Sequence, residues 1–398
     1  MTSVRHIAVV CPRFADGATV GGAETLLRRL ADRIAASGRQ VTFLTTCAQN
    51  HHTWENNLPP GQKKVGALDV IYFPVDENRD ISTFLRVQES ISNRGAVTRE
   101  DEEIWIKNSV NSQALCDHLK TQGNAYDCII MGPYLFGLVF HAAQIFPDRT
   151  FLAPCLHDEP FAWLSIMKDL FGSVRGFLFN TEPERELARR LFGTPDERSA
   201  VVGMGLDVFD AHPESFGHKH GMTAPYLLYS GRREPLKGTP LLLDYMDAFR
   251  ARTGRDVNVV LTGSGAYDVS PELAPHVLDV GFVSEQEKHE AMAGALAFIH
   301  PSVNESLGIV LLESWLARTP ALVHARGEVL RWQCARSGGG VWFRHYPDFE
   351  TALLRLMDDP PLRARMGEAG RAYVEREYAW SAVEARLWAA LEILHQDR

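Results

Sequence analysis

The chain has 398 residues, 45% of them hydrophobic and 23% charged, which excludes an intrinsically disordered polymer, and its 31 glycines lack the triplet period of collagen. Forty-one basic against 50 acidic residues leave a formal charge of −9, which speaks against a nucleic-acid binder but leaves room for a local basic cleft. Six cysteines, at 11, 47, 116, 128, 155 and 334, form no C-x-x-C pair and read as reduced thiols of a cytosolic protein rather than as long-range disulfides. The N-terminus shows no apolar leader, and no window reaches the roughly 18 apolar residues of a spanning helix. The expectation is a cytoplasmic protein whose membrane contact, if any, is peripheral at the inner face.

Taken in chain order, His6–Val10 is an apolar run that predicts a buried strand. A loop with Asp16, Gly17, Gly21 and Gly22 follows, then a helix over Ala23–Ala36 with Leu26, Leu27, Leu30 and Ile34 on one face, then a strand at Val41–Thr45. Strand, Gly-rich loop, helix, strand is a βαβ unit and predicts a doubly wound α/β domain. Residues 49–105 read as irregular insertions, with one helix over 101–120. Strands return at Asp127–Met131, Thr150–Ala153 and Gly176–Phe179, with a helix at 183–192. Residues 207–224, with three His, two Gly and a Pro, read as a linker and hinge.

A second alternation starts at Tyr226–Ser230. It continues through a helix at 239–252, strands at 257–261 and 277–280, and a helix at 285–294. Then come a strand at 296–299, a helix at 308–317, strands at 320–323 and 340–343, and helices at 348–358 and 361–377. The tail 380–396 is amphipathic, through Val383, Leu387, Leu391 and Leu394. The expected organisation is an N-terminal domain at 1–206, a linker at 207–224, a C-terminal domain at 225–377 and a final helix at 378–398. Two doubly wound domains imply a cleft between them that suits a small molecule.

Four segments carry chemistry. In His300–Pro320, Glu305 sits in a loop and Glu313 eight positions later on a helix opening near Ser306–Gly308. The backbone N–H groups of Leu307, Gly308 and Ile309 at that opening suit a phosphate, and Glu313 suits vicinal hydroxyls such as those of a ribose. In Ser230–Gly238, at the C-terminal end of a strand, Arg232 and Lys237 offer cations for phosphate oxygens, and Gly231 and Gly238 keep the backbone open; the alternative is a basic surface turn with Arg233–Glu234 as an ordinary surface pair. Gly21-Gly22-Ala23-Glu24 is a Gly-rich helix opening that lacks both the G-x-G-x-x-G and the Walker A patterns. His157 beside Asp158, past the strand at 150–153, offers a polar or general-base group, or else a structural hydrogen bond.

Together these residues resemble the retaining glycosyltransferases of family 4 (group 1), which have the GT-B fold: two Rossmann-like doubly wound domains facing each other across a cleft. Pro301-Ser302, Glu305-Ser306-Leu307-Gly308 and Glu313 match the family's E-x₇-E pattern, and Gly231-Arg232 with Lys237-Gly238 match its basic loop. Gly203–Asp207, Gly263-Ser264-Gly265, Gly281–Ser284, Gly21–Glu24 and Tyr378–Ser381 are similar to further family stretches. The resemblance implies Arg232 and Lys237 on the donor diphosphate, Glu305 and His157 at the donor sugar, and Glu313 on the ribose. It further implies Gly22, Gly231, Gly263, Ser306, Leu307, Gly308 and Ile309 around the diphosphate and sugar, and Phe282 and Val283 at the base. Two departures stand out: Arg318 replaces a family glycine, which predicts a reshaped helix end, and His324–Glu328 replaces a Gly-Gly loop.

The implied activity is a metal-independent, retaining transfer of a sugar from a UDP- or GDP-linked donor to a glycan, lipid-linked or small-molecule acceptor, as in bacterial surface-polysaccharide assembly. No cofactor, metal or nucleic acid is expected. Two other readings stay open: a nucleotide-sugar epimerase or hydrolase on the same fold, and a catalytically silent binding subunit of a glycan-assembly complex.

Overall fold

The computed structural model describes residues 4–16 and 21–396, with side chains through residue 392. Gly17 and the Leu394 side chain therefore lie outside the described residues. The chain divides into two compact units, Met1–Met204 with Val383–Arg398, and Gly205–Ala382.

The first unit is built on an eight-stranded sheet of β1 (His6–Val10), β2 (Gln40–Thr46), β3 (Gly61–Val65), β4 (Leu68–Phe73), β5 (Cys128–Met131), β6 (Thr150–Leu152), β7 (Gly176–Phe179) and β8 (Ser199–Val201), in the order β3-β4-β2-β1-β5-β6-β7-β8. Its helices are α1 (Gly22–Ala36), α2 (Ile81–Ser92), α3 (Arg99–Asn108), α4 (Gln113–Gln122), α5 (Gly137–Ala143), α6 (Ser165–Ser173) and α7 (Glu182–Phe192). The runs of β1, β5 and β7 are buried along nearly their whole length because helices cover both faces of the parallel sheet. Helix α1 turns Leu26, Leu27, Leu30, Ala31 and Ile34 inward, at helical spacing. A large apolar cluster of Trp105, Tyr134, Phe171, Phe177 and Phe179 fills the other side.

Two expectations fail here. The stretch 49–105 is ordered: β3 and β4 form an antiparallel hairpin with Gly61 opposite Tyr72 and Val65 opposite Leu68. Residues 61–64 are exposed, so β3 carries no apolar pattern from which a strand is read. The single helix expected over 101–120 is two helices, α3 and α4. The Asn111 amide donates to the Ile106, Lys107 and Ser109 carbonyls at 3.2, 2.8 and 3.1 Å, replacing the amides a continuing helix would supply. Ser112 then caps α4 through its hydroxyl.

The second unit holds a six-stranded, all-parallel sheet: β9 (Tyr226–Ser230), β10 (Asn258–Thr262), β11 (Val277–Gly281), β12 (Ala297–His300), β13 (Ala321–His324) and β14 (Gly340–Phe343), ordered β11-β10-β9-β12-β13-β14. Its helices are α8 (Pro213–Lys219), α9 (Thr239–Thr253), α10 (Glu285–Gly294), α11 (Ile309–Leu316), α12 (Glu328–Ser337), α13 (Tyr346–Asp358) and α14 (Pro360–Glu377). The expected linker thus contains a helix, α8, which buries Phe216. Helix α12 was also unforeseen, and it starts at the His324–Glu328 departure. From β9 the strands run one way to β11 and the other way to β14, so the order reverses between β9 and β12. At such a reversal the loops leaving the two strands diverge and open a crevice at the carboxyl edge.

The last helix, α15 (Trp380–Gln396), continues into the residues grouped with the first unit. There Arg386 donates to the Val202 carbonyl at 3.1 and 3.0 Å, and the Arg39 guanidinium lies 3.9 Å from the Trp388 ring centroid. All six cysteines are buried, and none forms a disulfide among the described residues. No described helix is long and apolar enough to cross a membrane.

Candidate active site at the strand-order reversal

The loops after β9 and β12 leave the sheet side by side at the reversal, and that topology brings Lys237 to Glu305. Lys237 Nζ lies 2.7 Å from Glu305 Oε1, and His300 Nε2, at the end of β12, lies 3.4 Å from the same oxygen. Burial is the largest influence on the Glu305 carboxyl and pushes it up, but the Lys237 ammonium and the His300 ring together hold it well below the usual range. Glu305 is therefore an ionised, largely buried acceptor with an ammonium fixed against it. Tyr229, pushed up to about 12 chiefly by burial, donates to the Arg232 carbonyl at 2.5 Å and anchors the start of the basic loop.

Arg232 itself stands half exposed, paired with Glu234 at 3.1 Å, and is not joined to the Lys237–Glu305 pair. Arg233 does not pair with Glu234 as it would in a plain basic surface turn. Arg233 is 6% exposed and donates to the Gly265 and Gly263 carbonyls at 3.0 and 3.2 Å, with Asp279 as its counter-ion. It is the internal bolt that ties the loops after β9 and β10 to strand β11. The sequence does not separate it from Arg232, because adjacent residues of a loop can face opposite ways.

Those loops are knitted further by Gly231 N–H to Thr262 O at 3.0 Å and Gly263 N–H to Gly281 O at 2.8 Å. Gly263 has φ +108, and a Cβ there would lie 2.2 Å from the Gly231 carbonyl oxygen, so the approach requires glycine. Beyond Gly281, Phe282 is more than half exposed and Val283 is partly buried.

Helix α11 opens as its sequence predicts. Gly308 is its N-cap, in the left-handed region at φ +80, ψ +56, with no side-chain cap. Ser306, Leu307 and Gly308 are buried and Ile309 partly buried. The first-turn amides of α11 supply the partial positive charge of a helix terminus. Glu313, one turn in, is held by Lys288 of α10, whose ammonium lies 3.0 Å from Glu313 Oε2 and 2.8 Å from Glu285 Oε2. Burial works against the Lys288 charge, but Glu313 and Glu285 outweigh it and raise its basicity. Among the described residues Glu285, His289 and Glu313 bring ligand atoms within 4.8 Å of one another, and this ammonium pairs both carboxylates. Lys288 and His300 have no role in the sequence reading; the one signal for Lys288 is a lysine on the helix that follows the Gly281–Ser284 loop.

At the end of α11 Arg318 takes the left-handed conformation at φ +61, which a glycine adopts without strain, with Arg318 N–H on Trp315 O and Thr319 N–H on Ser314 O, both 2.9 Å.

The first unit holds the remaining candidates. Gly22 is the first residue of α1. Beside it a buried pair joins Arg13 Nη2 to Glu24 Oε1 at 2.6 Å. His157 follows β6, and its Nδ1 faces Glu159 Oε1 at 3.5 Å, while Tyr134 donates to that oxygen at 3.0 Å. Burial, then Glu159, raise the Tyr134 hydroxyl far above its ordinary value. The neighbour Asp158 turns away, accepting from Trp163 Nε1 at 3.0 Å and pairing with Arg190 at 3.2 Å. The carboxylate that serves His157 is therefore Glu159, not Asp158.

Comparison with known proteins agrees with this architecture. Residues 211–373 match the family of glycosyl transferases group 1. The chain is 29% identical over 182 residues, 43% of its length, to a GDP-mannose-dependent monoacylated alpha-(1-6)-phosphatidylinositol monomannoside mannosyltransferase of Corynebacterium glutamicum. It spans about half the length of the curated relatives it matches: 48%, 58% and 54% of three of them. Among solved structures, a sucrose-phosphate synthase from Thermosynechococcus elongatus superposes with a TM-score of 0.73 at 17% identity, covering 99% of this chain and 100% of that one. HepE of Anabaena, solved in complex with UDP, superposes with a TM-score of 0.69 at 14% identity over 98% and 99% of the two chains. Residues 211–373 are thus similar to the group 1 glycosyltransferases, and the chain as a whole has the GT-B fold.

Proposed function

We propose that this protein is a retaining glycosyltransferase that moves a sugar from a UDP- or GDP-linked donor to a glycan, lipid-linked or small-molecule acceptor without a metal ion. The observation that carries the reading is the Lys237–Glu305 pair set beside the uncapped N-terminus of α11, at the strand-order reversal. A nucleoside diphosphate needs fixed positive charge next to hydroxyl acceptors, and this edge of the sheet offers both.

In this reading the bond from the anomeric carbon to the diphosphate breaks with oxocarbenium character, and negative charge grows on the leaving phosphate. Lys237, Arg232 and the amides of Leu307, Gly308 and Ile309 stabilise that charge, with little reorganisation for the elements that the sheet fixes in advance. Glu305 accepts from donor-sugar hydroxyls, and Glu313 from the ribose. Gly231 and Gly263 keep the backbone close to the phosphates, Ser306 lines the turn, and Phe282 and Val283 meet the base. His157 contacts the sugar, and Gly22 lies near the diphosphate. UDP in the HepE structure and GDP-mannose in the corynebacterial relative's name support a nucleotide-linked donor. A role in surface-polysaccharide assembly, a cytoplasmic site of action and weak peripheral membrane contact belong to the same proposal.

The test is thermal stabilisation of the purified protein by UDP, GDP, ADP, CMP and dTDP, with and without EDTA. A nucleotide at 100 times its Kd adds about 2.7 kcal/mol to the folded state. One nucleotide is expected to stabilise, equally with EDTA, and to lose the effect in Lys237→Ala. Stabilisation by none of them would reject the diphosphate site and favour a silent binding subunit.

A further inference from the structure

The turn that carries His157 is clamped by a carboxylate from another element. Glu184, the third residue of α7, is 1% exposed. Its Oε1 accepts from Leu156 N–H at 2.6 Å and its Oε2 from Asn180 N–H at 2.5 Å. The Thr181 amide also bonds to it. No ion pair to it occurs among the described residues. Burial pushes its carboxyl up to about 8, and the three amides draw it down only in part.

The spacing Thr181-x-x-Glu184 is that of a capping box, in which the glutamate bonds back to its own helix start. Here one oxygen is diverted to a second loop, 28 residues earlier in the chain. That loop is conformationally demanding. Cys155 has φ +52, a left-handed conformation that a residue with a Cβ adopts rarely, and the Asn180 amide reaches its Sγ at 3.7 Å. Such backbone persists only where its surroundings over-determine it. Leu156, whose amide Glu184 holds, is the residue immediately before His157. On the far side of the turn Glu159, itself held by Tyr134, faces the ring at Nδ1, which leaves Nε2 for another partner.

We propose that Glu184 is a positioning residue for His157: by fixing the Leu156 amide and the left-handed Cys155 it sets where the imidazole stands. The proposal rests on the reading of His157 as a group that contacts the donor sugar, and it extends that reading to a residue that touches no substrate.

The experiment uses the full chain with histidine labelled at Cε1. The His157 resonance is identified by its loss in His157→Gln. In Glu184→Gln one oxygen becomes an NH2 group, so a donor confronts either the Leu156 or the Asn180 N–H. The His157 signal is expected to shift or split, while the other histidine signals stay in place. A His157 signal unchanged in Glu184→Gln overturns the proposal, and so does a change spread over all histidines, which would mark a merely structural role. Should Glu184→Gln not fold, Glu184→Asp, one methylene shorter, is compared in the same way: a shift confined to His157 supports the proposal, and an unchanged signal or a change in every histidine overturns it.

Transfer from UDP-glucose and GDP-mannose separates the two layers. If His157 contacts the sugar, Glu184→Gln lowers turnover about tenfold to a hundredfold with donor KM unchanged, and adds nothing in a His157→Gln background. If the signal moves but neither variant alters turnover, the clamp stands and the role given to His157 falls.

Discussion

Replacing Lys237 by methionine is expected to turn Glu305 from a stabilising group into a destabilising one, with a recognisable pH signature. In the native chain Glu305 is held below the usual range, so the stability it contributes is present above the unfolded glutamate value of about 4.3 and is lost as pH falls through the folded value. Above about pH 5 that contribution is flat. Lys237→Met removes the main force lowering the carboxyl and leaves burial, which raises it, opposed by His300 alone. The folded chain then binds a proton that the unfolded chain releases, and stability falls with rising pH by up to about 1.4 kcal/mol per unit until the raised value is passed.

Breaking one side of a fully buried pair costs about 3–5 kcal/mol. Lys237 and Glu305 keep 24% and 16% of their side-chain surface, so a loss of about 3 kcal/mol at pH 7 is expected. The assay is urea unfolding of the native chain and Lys237→Met between pH 5 and pH 8. The gap between them should widen toward pH 8. In Lys237→Met/Glu305→Gln the widening should vanish, because no carboxylate remains. A gap equal at pH 5 and pH 8, or one that widens toward acid, would refute the reasoning.

Gly308→Ala places a Cβ 2.6 Å from Leu330 Cδ2 at φ +80, and should cost about 2 kcal/mol in urea unfolding besides weakening nucleotide binding. Arg318→Gly relieves a left-handed arginine whose ion pair with Glu368 is exposed; equilibrium unfolding should show a gain of up to about 1 kcal/mol, and a loss would mean that the pair outweighs the backbone. Glu313→Ala removes the acceptor proposed for the ribose, so donor KM should rise about tenfold with kcat little changed, in steady-state kinetics with the donor identified by nucleotide stabilisation. EDTA should leave turnover unchanged; loss of activity restored by a divalent cation would overturn the metal-independent mechanism.

The sequence shows most of the second unit because its strands are apolar runs cut by Gly turns, and β9 and β14 fall on the predicted residues. It does not show β3, whose residues are exposed, or the break between α3 and α4, which depends on one asparagine side chain replacing main-chain donors. The acidic and basic loops are recognisable by residue type and spacing. Their pairing is not, since Lys237 meets Glu305 only because β9 and β12 are neighbours, and chain order does not reveal sheet order. Arg233 shows the limit most clearly. In a Gly-Arg-Arg-Glu loop either arginine can turn outward, and burial by the loop after β10 and by Asp279 of β11 decides.

That same burial explains why three nearby cations suit different tasks. Arg233 is committed to two loop carbonyls and a strand carboxylate, and cannot leave them without orphaning the Gly263 and Gly265 carbonyls and Asp279. Arg232, half exposed beside Glu234, has a pair worth little in water and would exchange it cheaply for a phosphate of the proposed donor. Lys237 lies between these extremes. Its bond to Glu305 is sheltered enough to fix the ammonium in place, yet the donor proposed here brings an anion for the lysine and hydroxyls for the glutamate together. Only a ligand with both satisfies the two halves at once. A free phosphate would pair Lys237 while leaving a buried carboxylate without its cation. Under the proposed function the pair would work as a filter that favours a nucleotide sugar over inorganic phosphate, its selectivity coming from the carboxylate as much as from the cation.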